Sequence, residues 1–212
     1  LLQEGFDVFV VDSLKNSFIS SIYKVKKFFK KQNPYAKNKV YFFNIDICDF
    51  DDFGNVFKEI YSKGYLIDGV IHFAGYKSVS ESIKYPKRYW INNVKGTLNI
   101  LALMKIYNCR NLVFSSSASV YGNNMKSPYY ECTAKNPINP YSQTKAFIED
   151  ILEKEVNQKN VDLNVVSLRY FNPIGSHDSG LIGECSKGAY DNIFPLINLA
   201  SNNKGYILQI FG

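Results

Sequence analysis

Tyr141 and Lys145 stand four residues apart in "INPYSQTK", Ile138 to Lys145. Asn139 suits a helix N-cap and Pro140 the first helical position, where a missing N–H goes unused. On such a helix Tyr141 and Lys145 share one face, about 5–6 Å apart at Cβ. A lysine in the first turn opposes the helix dipole, so its place needs another reason. An ammonium beside a phenol at a positive helix end favours phenolate. Free tyrosine titrates near ~10, and each unit of depression is worth about 1.4 kcal/mol. Tyr141 is therefore a candidate general base. The spacing alone is weak, because Tyr23/Lys27 and Tyr35/Lys39 repeat it. What sets the third pair apart is upstream: Ser115, Ser116 and Ser117 close an apolar run, where a hydroxyl proton relay is credible.

These side chains need elements to hold them, and the chain alternates apolar runs with amphipathic stretches. Strands are expected at Asp7 to Asp12, Lys39 to Ile47, Asp68 to Gly75, Asn111 to Ser117 and Leu163 to Phe171. Helices are expected at Ser17 to Lys31, Phe50 to Lys63 (ended by Gly64), Tyr89 to Tyr107 and Tyr141 to Gln158. Strands separated by helices of this length imply an α/β fold, a doubly wound parallel sheet covered on both faces. Function in such sheets gathers past the carboxyl ends of the strands. Asp12, Asp46, "FAGYK" (Phe73 to Lys77), "SSSASVYG" (Ser115 to Gly122) and "RYFNPIG" (Arg169 to Gly175) lie there. An acidic residue closing the second strand of a nucleotide fold accepts ribose hydroxyls and repels a 2′-phosphate, so Asp12 points to NAD over NADP.

The chain has 212 residues, 46% hydrophobic and 21% charged, which suits one globular domain. No apolar run approaches a membrane span, and no signal peptide is visible. Cys48, Cys109, Cys132 and Cys185 show neither close pairing nor metal spacing and read as reduced thiols of a cytoplasmic protein. His72 and His177 are too isolated for a metal site. Much of the net charge of +6 comes from "KVKKFFKK", Lys24 to Lys31. It reads as an amphipathic helix with a solvated basic face, more readily than as a nucleic-acid surface.

"SSSASVYG" with "YSQTK" resembles the extended short-chain dehydrogenase/reductases, whose dinucleotide domain is a Rossmann-type sheet. "HFAGYKSVSES" and "RYFNPIGSHDSGLIGE" narrow the resemblance to the UDP-glucose 4-epimerases. That family interconverts UDP-glucose and UDP-galactose by transient NAD-dependent oxidation at sugar C4, through a 4-keto intermediate. The resemblance implies that Tyr141 takes the 4-hydroxyl proton directly or through Ser117, and that Lys145 bonds the nicotinamide ribose. Asp12, Asn16 and Ser17 then match adenosine-ribose contacts, and Asp46 and Ile47 flank the adenine. Phe73, Ala74, Gly75 and Lys77 approach the pyrophosphate, and Asn92 and Phe171 are further cofactor contacts. Asn172 and Asn192 match positions that hold the UDP-sugar, joined by Lys77, Ser117 and Tyr141. "YDNI" at Tyr190 to Ile193 departs from the family's usual Pro-Asn-Asn-Leu. Relatives pair the helices expected at Tyr89 to Tyr107 and Tyr141 to Gln158 across a homodimer.

Two rivals remain. A sister nucleotide-sugar dehydratase or decarboxylase carries an acid just before Val-Tyr-Gly, where this chain has Ala118 and Ser119. A silent nucleotide-binding module is raised by the lack of any glycine-rich phosphate turn. The chain is instead expected to be a segment, 1–171 an NAD-binding domain without its first, central strand and 172–212 the start of a UDP-sugar-binding region. The strands of Val11 and Ile71 should then flank a vacant slot or pair directly. Residues 1–212 alone should be poorly soluble and bind no NAD.

Overall fold

β-Branched and aromatic residues fill the first two strands, as half-buried pleated surfaces favour. Val8–Val11 (β1) and Val40–Phe43 (β2) run parallel in the register Val8↔Val40 to Val11↔Phe43. Phe9 and Tyr41 stack at 4.7 Å on this ladder. The computed structural model describes residues 1–123, 127–159, 161–183, 187, 193–202 and 207. It divides into two units, Leu1–Asn44 with Asn172–Gly212, and Ile45–Phe171.

The first unit opens on a single helical turn, Leu2–Glu4, closed by Gly5 at φ 88, a left-handed cap that glycine adopts without strain. The helix between β1 and β2, Ser20–Gln32 (α1), half-buries Val25, Phe28 and Phe29 and exposes Lys24, Lys27, Lys30 and Lys31, the amphipathic pattern expected. A helix over Ile193–Asn202 also belongs to this unit. β2 stops at Phe43, four residues short of the expected Ile47. The chain turns there because Asp46 Oδ1 accepts the Cys48 N–H at 2.9 Å.

The second unit carries Phe50–Ser62 (α2), Val70–His72 (β3), Val79–Lys84 (α3), Pro86–Tyr89 (α4), Gly96–Ile106 (α5), Asn111–Ser117 (β4), Pro140–Val156 (α6) and Asn164–Tyr170 (β5). Its sheet is parallel with order β3-β4-β5. Among the described residues β1 is laddered to β2 alone and β3 to β4 alone. β4 alternates as a half-buried strand should, burying Leu112, Phe114 and Ser116 on one face. Phe114, Ile148, Leu152, Leu103 and Met104 are among the most deeply buried side chains of the core. Asp49 caps α2 by accepting the Asp52 N–H at 3.1 Å, and Gly64 past its end has φ 81. The helix expected from Tyr89 to Tyr107 is not α-helical throughout. Trp90–Lys95 winds as a π-helix between α4 and α5, a wide turn that often marks functional positions.

Candidate active site

α6 starts where the sequence places it. Asn139 Oδ1 accepts the Ser142 N–H at 2.9 Å, and Ser142 Oγ accepts the Asn139 N–H at 3.2 Å, a reciprocal capping box with Pro140 at the first position. Tyr141 and Lys145 follow on one face of α6. Lys145 is buried, and its Nζ donates to Ser115 O at 2.6 Å. The same Nζ lies 4.8 Å from the Phe114 ring centre and 5.9 Å from that of Tyr141. Desolvation lowers the Lys145 pKa to about 8.

The phenol moves opposite to the expectation from spacing. Burial pushes the Tyr141 pKa above its ordinary value, and a hydrogen bond with Ser117 only partly offsets this. The physical reason is where the ammonium points: Nζ gives its bond to Ser115 O, and the half-buried phenol is left to desolvation. Ser117 is nevertheless close enough to Tyr141 to favour its phenolate, as a relay needs. Ser119 Oγ donates to Ser117 Oγ at 2.9 Å, extending the hydroxyl chain.

Facing this pair is the loop after β3. Asn93, in the π turn, is buried and grips Tyr76 at both backbone groups: Oδ1 accepts its N–H at 2.8 Å, and Nδ2 donates to its carbonyl at 3.0 Å. A side chain at Gly75 would meet Asn93 Oδ1 at 3.2 Å and Lys145 Nζ at 3.9 Å, so glycine fits this close approach. Asn92 Nδ2 donates to Asn93 Oδ1 at 3.0 Å, which places Asn92 one bond from the loop. Phe73 and Lys77 are exposed along it, and Ala74 is half-buried. Ile47 is a core residue whose carbonyl accepts Asn99 Nδ2 at 2.8 Å, and Asp46 holds its own turn. Phe171, past β5, is exposed with its ring 6.4 Å from Tyr129.

In the first unit, Asp12 follows β1, and its Oδ1 accepts the Leu14 N–H at 2.7 Å and the Ser17 hydroxyl at 2.8 Å. Asn16 accepts at its carbonyl from the Lys187 N–H at 3.4 Å. Asn172 is exposed, and Asn192, with most of "YDNI" and Cys185, lies outside the described residues.

Sequence reasoning missed three groups. Asn93 was hidden by its neighbour Asn92, although the Asn-Asn pair in "WINNVK" was a usable signal. His72 is buried, its Nε2 2.9 Å from Thr97 Oγ1. Thr97 Oγ1 donates to Asn93 O at 2.7 Å, so His72 Nε2 is the donor, and Nδ1 has no hydrogen-bond partner among the described residues. Burial, then the Lys145 charge, lowers the His72 pKa to about 3, and the ring stays neutral. The third group is the ion pair of Glu149 on α6 with Arg169 on β5, at 2.7 Å. Among the described residues no cluster of three or more His, Cys, Asp or Glu offers a metal site, and no helix is long and apolar enough to cross a membrane.

Comparison with known proteins fits this arrangement. A family model described as GDP-mannose 4,6 dehydratase matches residues 1–207. UDP-glucose 4-epimerase 2 of Arabidopsis thaliana is 39% identical over 215 residues, covering 100% of this chain and 58% of that protein. A UDP-glucose 4-epimerase of Schizosaccharomyces pombe is 39% identical over 216 residues, with 100% and 57% covered. Among solved structures, the Stenotrophomonas maltophila UDP-glucose 4-epimerase with bound NAD and formylated UDP-arabinopyranose superposes with a TM-score of 0.86 at 35% identity, covering 100% of this chain and 59% of that one. The Bifidobacterium longum enzyme in complex with NAD+ and UDP gives 0.84 at 37% identity, covering 98% and 58%. The chain thus spans 58% of the length of the first of these curated relatives. A Rossmann-type parallel α/β fold, a tyrosine and lysine one turn apart on α6 and a serine closing β4 meet in one chain, which belongs to the nucleotide-sugar family of the GDP-mannose 4,6 dehydratase model and is similar along its whole length to UDP-glucose 4-epimerases.

Proposed function

We propose that the whole protein interconverts UDP-glucose and UDP-galactose, with Tyr141 as proton acceptor, Ser117 as relay and Lys145 as the cation that holds the nicotinamide ribose. One observation carries this reading: Lys145 lies buried one turn from Tyr141, its Nζ 5.9 Å from the phenol ring, with Ser117 close enough to favour the phenolate. The residues present fit an NAD molecule. Gly75 leaves room for close backbone approach beside Lys145 Nζ, and Asp12 is an acceptor suited to ribose hydroxyls. When bound, NAD supplies reversible hydride acceptance at sugar C4.

The chain's own residues do the proton work. Tyr141 must lose its proton to act, and Ser117 can pass one between the sugar hydroxyl and the phenol oxygen. Lys145 near a phenolate stabilises the charge that desolvation opposes. Asn93 fixes the loop carrying Gly75, whose neighbours Phe73, Ala74 and Lys77 are assigned to the pyrophosphate. Asp46 and Ile47 are assigned to adenine, Asn16 and Ser17 to the adenosine ribose, Asn92 and Phe171 to further cofactor contacts, and Asn172 and Asn192 to the UDP-sugar. Residues 1–171 are assigned to NAD and 172–212 to the start of the sugar-binding region. A cytoplasmic homodimer is part of the same reading. The exposed Ile91, Leu98 and Phe147 on the helices that pair in relatives support it.

The dehydratase alternative loses support at Ala118 and Ser119. Neither is a carboxylate, and Ser119 spends its hydroxyl proton on Ser117. In the whole protein, Tyr141→Phe should lower turnover on the order of 10²–10⁴-fold with NAD retained. Near-full interconversion of UDP-glucose and UDP-galactose by that variant would overturn the reading.

A further inference from the structure

Tyr141, Lys145 and Glu149 recur at every fourth residue along one stripe of α6, and each engages a different serine at the end of β4. Tyr141 lies close enough to Ser117 for the serine to favour its phenolate, Lys145 Nζ bonds Ser115 O at 2.6 Å, and Ser116 Oγ donates to Glu149 Oε1 at 2.5 Å. Ser116 points to the buried face of β4, opposite its two neighbours in the strand alternation. The last of these three links is anchored on a second strand. Arg169 donates through Nε to Glu149 Oε1 at 3.0 Å and through Nη2 to Oε2 at 2.7 Å. Arg169 is also the register partner of Ser116 in the β4–β5 ladder. Its Nη1 reaches the Tyr121 hydroxyl at 3.0 Å and Glu131 O at 2.9 Å, and Lys135 Nζ lies 3.5 Å from Glu149 Oε2. One buried carboxylate therefore ties the third turn of α6 to a single rung shared by two strands.

That rung is one residue from Ser117, and the helix turn is two turns from Tyr141. Helix and strand cannot slide against each other without breaking the Glu149 links, so the separation of Tyr141 from Ser117 is set from below. Rigid spacing matters because a misplacement of about 1 Å can cost on the order of 10²-fold in rate. We propose that Glu149, locked by Arg169 and gripping Ser116, is a positioning residue that sets the register of Tyr141 on Ser117. The inference rests on the reading of Tyr141 as proton acceptor given above.

Ser116→Ala in the whole, NAD-bound protein removes the grip and leaves Glu149 paired with Arg169, so no charge is stranded. Turnover should fall by roughly tenfold or more, toward the ~10²-fold of a 1 Å misplacement. The KM for UDP-glucose, the NAD content and the melting temperature should stay close to those of the parent. Ser116→Thr, which keeps the hydroxyl, should recover most of the loss. A crystal structure of Ser116→Ala should show the Tyr141 hydroxyl drawn away from Ser117. Unchanged turnover, failure of Ser116→Thr to recover it, or a loss of turnover that tracks lost folding or lost NAD overturns the inference. A parent protein that interconverts nothing defeats the reading of Tyr141 instead. In that case an unmoved Tyr141 in the variant crystal structure would refute the positioning role by itself, and a displaced one would support it.

Discussion

Lys145 and Glu149 sit one turn apart on the same face of α6, and each is 6% exposed. Their surroundings differ in kind. Around Glu149, burial raises the carboxyl pKa, but hydrogen bonds from Arg169 and Ser116, with the charges of Arg169 and Lys135, outweigh it and hold the group below its ordinary value. Lys145 instead has a carbonyl and two ring faces, and desolvation drives it toward neutrality, to about 8. His72 adds a buried nitrogen without a hydrogen-bond partner among the described residues, a cost of about 1–3 kcal/mol. One region is built as a structural clamp, and the other keeps groups that the fold alone would discard. Such local losses concentrate where a site needs a particular charge.

The largest effect expected on the clamp side comes from Arg169→Ala. It leaves Glu149 buried and ionised without its bidentate partner, so the whole protein should lose about 3–5 kcal/mol of unfolding free energy. A loss within the error of chemical denaturation would mean that Glu149 is no clamp. A smaller effect is expected far from α6. Asp12→Asn should narrow the preference for NAD over NADP, because it removes the charge that repels a 2′-phosphate. Titration of both cofactors against parent and variant checks it, and an unchanged ratio would detach Asp12 from the ribose.

Local chemistry was legible in the sequence, and tertiary consequences were not. Asn139, Pro140 and the start of α6 could be read because a cap depends on a few adjacent residues. β4 matched its expected limits, Asn111–Ser117, since an apolar run ending in serines is a local pattern. The π turn at Trp90–Lys95 was not legible, because it answers to the loop that Asn93 must grip. The direction of the Tyr141 shift is hidden from the sequence for the same reason. Spacing reveals that an ammonium is near a phenol, but not how deeply both are buried or that the ammonium is turned to Ser115. Glu149 and Arg169 lie twenty residues apart in the chain, and only the β4–β5 ladder brings them together.

On the proposed function, Lys145 is kept buried at a cost in stability because the site uses its charge. A group whose pKa falls from 10.5 unfolded to about 8 folded disfavours folding fully below pH 8. The penalty, roughly 3 kcal/mol, fades as the pH rises from 8 toward 10.5. Lys145→Met removes it together with a hydrogen bond worth about 1 kcal/mol. Denaturant unfolding of the whole protein from pH 7 to 10.5, with turnover measured alongside, tests this directly. Lys145→Met should be more stable than the parent at pH 7 by about 2 kcal/mol, lose that advantage toward pH 10.5, and be nearly inactive. A variant that is less stable at pH 7 and still turns over substrate would refute this role for Lys145.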